Sequence, residues 1–293
     1  MEEFEYRKID AFTSGNSLGN PAACIYLNSE QVLTEDEMLN IAKQHKGFVS
    51  EVIYCSQKLQ SDFNIIYYSS ECEVDFCGHG TIACMYNLIN EKPELMGLKE
   101  ITINTNKKGL LTVYNKIETQ DAVYITAPSP KYIGSNIDMK EIVENMSINA
   151  NLISNKYPVD LIDAGLKTLI IPIIMLKDMI NIFPNEQTLK NFCLKYGIDI
   201  ILIYTFETDN SQNIAHTRVF APKFGYLEDP ATGSGNSAFG YYMLKNKLWK
   251  GAPVTIEQGG IDRIYNTVNL SYNNNNVLFG GKATTRIKGL YYY

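Results

Sequence analysis

The 293-residue sequence has no paired cysteine spacing, no basic cluster and no long apolar run, and each absence removes a class of protein. Its six cysteines are scattered without CxxC pairs, which argues for reduced thiols rather than a disulfide framework. The formal charge of −6, with no concentration of Lys and Arg, sets aside a nucleic-acid-binding surface. The longest apolar stretch, Leu169 to Leu176, is short and broken by Pro172, so no segment is expected to span a bilayer. The opening residues MEEFEYRKID are acidic where a signal peptide is basic and then apolar, so the expected location is the cytoplasm. Nucleotide signatures are missing too. Gly233-Ser-Gly235 lacks the third glycine at dinucleotide-site spacing, and no Gly-Lys-Ser/Thr follows. What remains, at 45% hydrophobic and 20% charged residues, is a soluble globular chain long enough for two domains.

Short alternating segments dominate that chain. Phe63–Tyr68, Ile101–Thr105, Leu110–Tyr114, Ala122–Thr126, Thr168–Ile173 and Ile200–Tyr204 are rich in β-branched and aromatic residues and are expected as strands. Asn213–Phe220, Val254–Glu257, Thr267–Leu270 and Asn276–Phe279 follow the same pattern, with Gly259-Gly260 and the asparagine run 273–276 as hairpin turns. Thr34 followed by Glu37 is a capping box that opens a helix, and 140–145 and 187–196 read as surface helices. Two further helices, Thr81–Ile89 and Ser237–Leu248, are apolar on nearly every side in their first turns, the mark of a buried helix. A buried helix needs a sheet around it.

The approaches to these two helices match. Cys77-Gly-His-Gly80 lies over Thr232-Gly-Ser-Gly235 at a constant offset of 155 positions, Glu73-Val74 falls over Glu228-Asp229, and the preceding strands are roughly in register. This pattern predicts an internal duplication of two β-rich domains, each wrapped round a central helix. The first is expected over residues 1–117, with 277–293 returning to it, and the second over 118–276.

The stretch LEDPATGSGNSAFG at 227–240 then acquires a chemical meaning. Bare N–H groups at a helix N-terminus, backed by the helix dipole, suit an anion such as a carboxylate, and glycine permits close approach. In a pseudo-symmetric pair of domains the two helix starts are expected to face a shared crevice, where small-molecule pockets favour sitting. His79 and Ser234 could hydrogen-bond a substrate there, with Asp229 just outside the loop. Taken singly, either loop is also compatible with a plain tight turn, and His79 with a structural histidine. The set Cys72, Cys77, His79 and Cys84 lacks the paired spacing of a structural zinc site, so no metal is expected.

At this point the sequence resembles the phenazine-biosynthesis PhzF-like family, within the diaminopimelate epimerase-like fold. The resemblance runs through Asp10-Ala-Phe, Gly19-Asn-Pro-Ala-Ala-Cys, Ser50-Glu-Val, Phe76-Cys-Gly-His-Gly-Thr81 and Arg218-Val-Phe-Ala-Pro222. It continues with Glu228-Asp-Pro-Ala-Thr-Gly-Ser234, Glu257-Gln-Gly259 and Phe279-Gly-Gly281. It implies an α+β protein of two pseudo-symmetric antiparallel β-barrel-like domains, each round a central helix, with an active site between them and no metal or organic cofactor. Carried over by motif, Glu51 matches the catalytic acid/base, Asp229 a second carboxylate, and His79 and Ser234 the substrate pocket. The N–H groups of Gly78 and Gly233 are expected near a substrate carboxylate. The resemblance also points to a homodimer.

Epimerases of this fold set two cysteines at the two helix starts. Here Cys77 holds the first position and Thr232 the second, and a threonine hydroxyl is too weak an acid or base for that pair. A carboxylate such as Glu51 can instead remove a proton and return it elsewhere on the same face, which is an isomerisation. The expected function is therefore a cofactor-independent isomerase acting on a small carboxylate-bearing molecule. The alternatives are a one-cysteine racemase or epimerase using Cys77, and a non-catalytic binding protein.

Overall fold

The computed structural model describes residues 1–59, 62–260 and 264–293. Two compact units emerge: one comprises Met1–Thr126 with Gly280–Tyr293, the other Ala127–Phe279. Among the described residues, a mixed α/β chain of 18 strands and eight α-helices is distributed over the two units.

Their pairing schemes repeat. In the first unit, Glu3–Ala11 runs antiparallel to Asn20–Leu27, which runs parallel to Glu51–Leu59. Glu51–Leu59 is antiparallel to Asp62–Tyr68, which is parallel to Glu100–Thr105, itself antiparallel to Gly109–Lys116. In the second unit, Asp160–Asp163, Lys167–Pro172, Ile200–Thr205, Ala215–Phe220, Val254–Gln258 and Asn266–Asn273 pair in the same order and with the same senses. Even the short strand before each long apolar helix recurs. Val74 lies opposite Tyr67 in one unit and Asp229 opposite Val219 in the other.

The expectation of antiparallel barrel-like sheets is corrected in part by four parallel pairs in this scheme. The reason is the connections. A parallel pair needs a crossover long enough to return the chain to the same end, usually a helix. Here Glu35–Gln44, Gly78–Glu91, Glu186–Tyr196 and Gly233–Lys245 fill those crossovers. Sequence patterning located the helices but not the strand sense they impose.

Other expectations hold at the level of local chemistry. Thr34 caps Glu35–Gln44 with a full capping box, its side chain accepting from the Glu37 amide while Glu37 reaches back to the Thr34 amide. That helix packs Met38, Ile41 and Ala42 against Phe4, Ile25, Tyr54 and Tyr68 of the sheet. Asn274 and Asn275 take positive φ values of 49° and 65°, the left-handed pair a tight hairpin requires. The turn expected at Gly259-Gly260 borders positions 261–263, which lie outside the described residues. The strands Glu3–Ala11, Asn20–Leu27, Glu51–Leu59, Asp160–Asp163 and Ala283–Tyr292 lie outside the segments that patterning marks. Glu3–Ala11 carries Arg7 and Asp10 as buried charged side chains, so the alternation of hydrophobicity that marks a strand is blurred.

The two long apolar helices, Gly78–Glu91 and Gly233–Lys245, are the buried ones in their respective units. In the first, nine residues from Gly80 to Ile89 are buried; in the second, ten from Gly233 to Met243. Their starts are close copies: Cys77 caps one with φ −123° and ψ 105°, Thr232 the other with φ −122° and ψ 108°. Each helix begins earlier than its apolar run, because the capping residue and the glycines after it already turn. The glycines have a packing role. A Cβ on Gly80 would stand 2.7 Å from Ile53 Cδ1, and one on Gly233 would stand 2.2 Å from the Phe279 ring. Alanine at position 233 forces that ring to move, and overpacking of this kind costs about 1–3 kcal/mol. Gly233→Ala should therefore lower the denaturation midpoint clearly. Gly97→Ala, at a glycine with φ −77° and open space around its Cβ position, should leave the midpoint nearly unchanged under the same denaturant titration.

Candidate active site

The first unit builds a cluster from one strand and one helix start. Glu51 opens the strand Glu51–Leu59, which is hydrogen-bonded on both sides and is therefore no edge strand. Side chains alternate along a strand, so Glu51 shares a face with Ile53. Ile53 seats against Gly80 in the first turn of the helix, and the same face therefore aims Glu51 at the helix start. There the Glu51 carboxylate lies 3.2 Å from His79 Nε2 and 3.7 Å from Cys77 Sγ. Cys77 Sγ is also 3.5 Å from His79 Nδ1, and it accepts a hydrogen bond from the Gly80 amide at 3.3 Å. The side chains of Glu51 and His79 keep 21% and 14% of their surface accessible, so a solute can reach them. Thr81 donates to the Cys77 carbonyl and shares a 2.7 Å hydrogen bond with the Tyr67 hydroxyl, which fixes the first turn from behind.

The electrostatics follow from this geometry. Burial works against a charge on His79, but the Cys77 sulfur and the Glu51 carboxylate outweigh it and hold the imidazole pKa well above the ordinary histidine value. Burial pushes the Cys77 thiol upward, with the His79 imidazolium pulling the other way. The imidazole thus stands between two partners that favour its charge, Cys77 first and Glu51 after it. No acidic residue occupies the first turn of either long helix. The positive end of each dipole is therefore left to groups brought from elsewhere.

The second unit has a different device at the equivalent point. Thr232 makes no side-chain cap to its own helix; its hydroxyl donates to Asp229 Oδ2 at 2.5 Å. The fully buried Gln258 ties this loop together. Its Oε1 accepts from the Thr232 amide at 2.9 Å and from Asn236 Nδ2 at 2.7 Å, and its Nε2 donates to the Asp229 carbonyl at 2.8 Å and to Thr232 Oγ1 at 3.1 Å. Its neighbour in the strand, Glu257, accepts from His216 at 2.9 Å and from the Asn210 and Asp209 amides. Asp229 is nearly buried, while Ser234 is half-buried in the first helical turn. Glu228, the other acid of the opening stretch, is engaged by the buried Arg218 in two hydrogen bonds of 2.9 and 2.8 Å.

The candidate residues thus fall into two groups, one per unit. Glu51, Cys77, Gly78 and His79 stand together in the first; Asp229, Thr232, Gly233 and Ser234 in the second. Cys72 is exposed and Cys84 is buried against Cys24 and Cys55, so neither joins the cluster of Glu51, Cys77 and His79. Gln258 and Arg218 both lie in the family motifs, yet residue type and spacing assign neither of them a role. A glutamine or arginine in a strand announces no partner until the fold delivers one.

The sequence matches the phenazine biosynthesis-like protein family, PhzC-PhzF, over residues 9–289, and the chain belongs to that family. It is 30% identical over 263 residues to a protein of Bacillus subtilis named uncharacterized isomerase YfhB, covering 88% of this chain and 87% of that one. The fold is shared with a PhzF-family protein of Bacillus anthracis at a TM-score of 0.86 and 22% identity, each chain covered in full. A hydroxyproline epimerase of Agrobacterium vitis has the same kind of fold at a TM-score of 0.57 and 10% identity, over 99% of this chain and 91% of that one. Among the described residues, no helix is long and apolar enough to cross a membrane.

Two measurements test the electrostatics. An NMR titration of the His79 ring should give an apparent pKa well above that of an unperturbed histidine, and Glu51→Gln should bring it back down. Glu257 offers a second test. Burial alone would raise its pKa, but hydrogen bonds from His216, Asn210, Asn213 and Asp209 draw it from 4.5 to about 2. Its stabilisation, on the order of 3 kcal/mol, is present above the unfolded value and is lost as pH falls from about 5 toward 2. Glu257→Gln should be less stable at pH 7 and should show a flatter loss of stability across that acid range.

Proposed function

We propose that this protein is an isomerase that moves a proton within a small carboxylate-bearing molecule without an organic cofactor. The observation that carries this reading is the Glu51–His79 pair, 3.2 Å apart, partly accessible and backed by the start of a buried helix. A carboxylate in that position can take a proton from carbon and return it to a neighbouring atom on the same face. His79, charged at neutral pH, holds the anionic form of Glu51 in place and offers a donor to an oxygen that gains charge as the proton leaves. The Gly78 amide, at the start of the same helix, suits the substrate carboxylate. The isomerase names of several relatives agree with this class of reaction.

A second reading, a one-base racemase or epimerase using Cys77, draws on the contact of its sulfur with His79 at 3.5 Å. The burial that raises the thiol pKa weighs against it, since a neutral thiol is a poor base.

The test begins with small carboxylic and amino acids screened by thermal shift, and the hits followed by NMR for uptake of solvent deuterium. Glu51→Gln should slow exchange at carbon by about 10²–10⁴-fold, the span typical of a lost acid/base group, while the dissociation constant changes only a few-fold. Exchange that persists in Glu51→Gln and disappears in Cys77→Ala would transfer the base to the cysteine. Binding with no exchange by the unaltered protein, across all hits, would mean a binding protein.

A further inference from the structure

We propose that Glu51, Cys77 and His79 form a binding site for a zinc ion or a similar borderline transition-metal ion. This holds whether or not Glu51 moves a proton during turnover. The three side chains are the one group among the described residues whose carboxylate, thiol and imidazole donors all lie within 4.8 Å of one another. Their mutual distances carry the argument. Glu51 Oε2 to His79 Nε2 is 3.2 Å, Glu51 Oε2 to Cys77 Sγ is 3.7 Å, and Cys77 Sγ to His79 Nε2 is 3.8 Å. Tetrahedral zinc with ordinary bonds to oxygen, nitrogen and sulfur separates its ligands by about 3.3–3.7 Å. The observed triangle is therefore one face of a zinc tetrahedron, within a few tenths of an ångström. Three protein ligands with the fourth corner left for solvent is the arrangement of an open rather than a sealed zinc site.

Charge and softness select the same ion. A carboxylate, a thiolate and a neutral imidazole together carry two negative charges, so a divalent ion leaves the complex neutral and limits its conflict with the positive helix end. The Gly80 amide already donates to Cys77 Sγ and would stabilise the thiolate once the thiol proton, and with it the imidazolium proton of His79, has left to solvent. One sulfur and one imidazole donor suit zinc and cobalt, whereas calcium and magnesium require oxygen. A bound metal engages the Glu51 carboxylate needed to take up the proton and displaces the N–H that His79 would offer as a donor, so on the isomerase reading the metal-bound protein is the inactive form.

The test is calorimetric titration of the full-length protein with zinc, and optical titration with cobalt, near neutral pH. A Cys72→Ser background is used because Cys72 is an exposed free thiol that could bind metal on its own. The expected result is one saturable equivalent for zinc and for cobalt, a thiolate-to-cobalt charge-transfer band, and no saturable binding of magnesium. His79→Ala and Cys77→Ser should each weaken zinc binding by more than about tenfold, the loss seen even for an outer-sphere partner. Thermal melts of both variants establish that they fold, and Glu51→Gln serves as a third probe should either of them fail to. Absence of one-to-one binding by the parent overturns the proposal. So does zinc affinity unchanged in the folded variants, or a cobalt complex without the thiolate band.

Discussion

The contact between Ile53 and Gly80 is the constraint on which the first cluster depends. With no Cβ at position 80, the helix start comes close enough for Ile53 to press into it. The alternation of the strand then delivers Glu51 to the same helix start, two residues upstream. Any side chain at position 80 would push helix and strand apart, and the 3.2 Å pairing of Glu51 with His79 would be the first thing to stretch. By residue type alone, the glycine-rich loops offer bare backbone to a ligand. In the folded chain their glycines also serve close packing, against Ile53 at Gly80 and against Phe279 at Gly233.

The two units show how a duplicated plan diverges in chemistry while keeping its geometry. Capping residues Cys77 and Thr232 have nearly the same backbone angles, but their side chains are used differently. The cysteine sulfur turns inward and accepts from its own helix, within reach of an acid and an imidazole. The threonine hydroxyl turns back toward Asp229 and is locked there by Gln258. A buried glutamine with both ends satisfied is a rigid bracket, because an unmade hydrogen bond in such a place costs about 1–3 kcal/mol. The first unit thus carries an accessible, titratable group of side chains, and the second an immobilised carboxylate loop.

Much of this architecture could be read directly. Strands such as Ala122–Thr126, the capping box at Thr34 and the asparagine hairpin follow from local rules that hold wherever the residues sit. The repeat was legible because the acids, the loop and the apolar helix recur with fixed spacing. Less legible were the parallel pairings, which depend on where a crossover helix returns the chain, and the strand Glu3–Ala11, whose buried Arg7 and Asp10 disguise its period. Glu228 looked equivalent to Asp229 in sequence. Only the fold hands Glu228 to Arg218, while Asp229 is given to Thr232.

By itself, then, the sequence determined the family, the repeat, the identity of the two helix starts and the short set of residues able to act as acids, bases or donors. These are properties of residue type and spacing, which a linear chain carries in full. Tertiary structure decided which of them meet. It set Cys77 and His79 beside Glu51, left Cys72 and Cys84 out, and spent Glu228 on a structural ion pair. Contacts between residues far apart in the chain are fixed by packing of elements against one another, and that packing depends on volumes and strand senses that no local window of sequence contains.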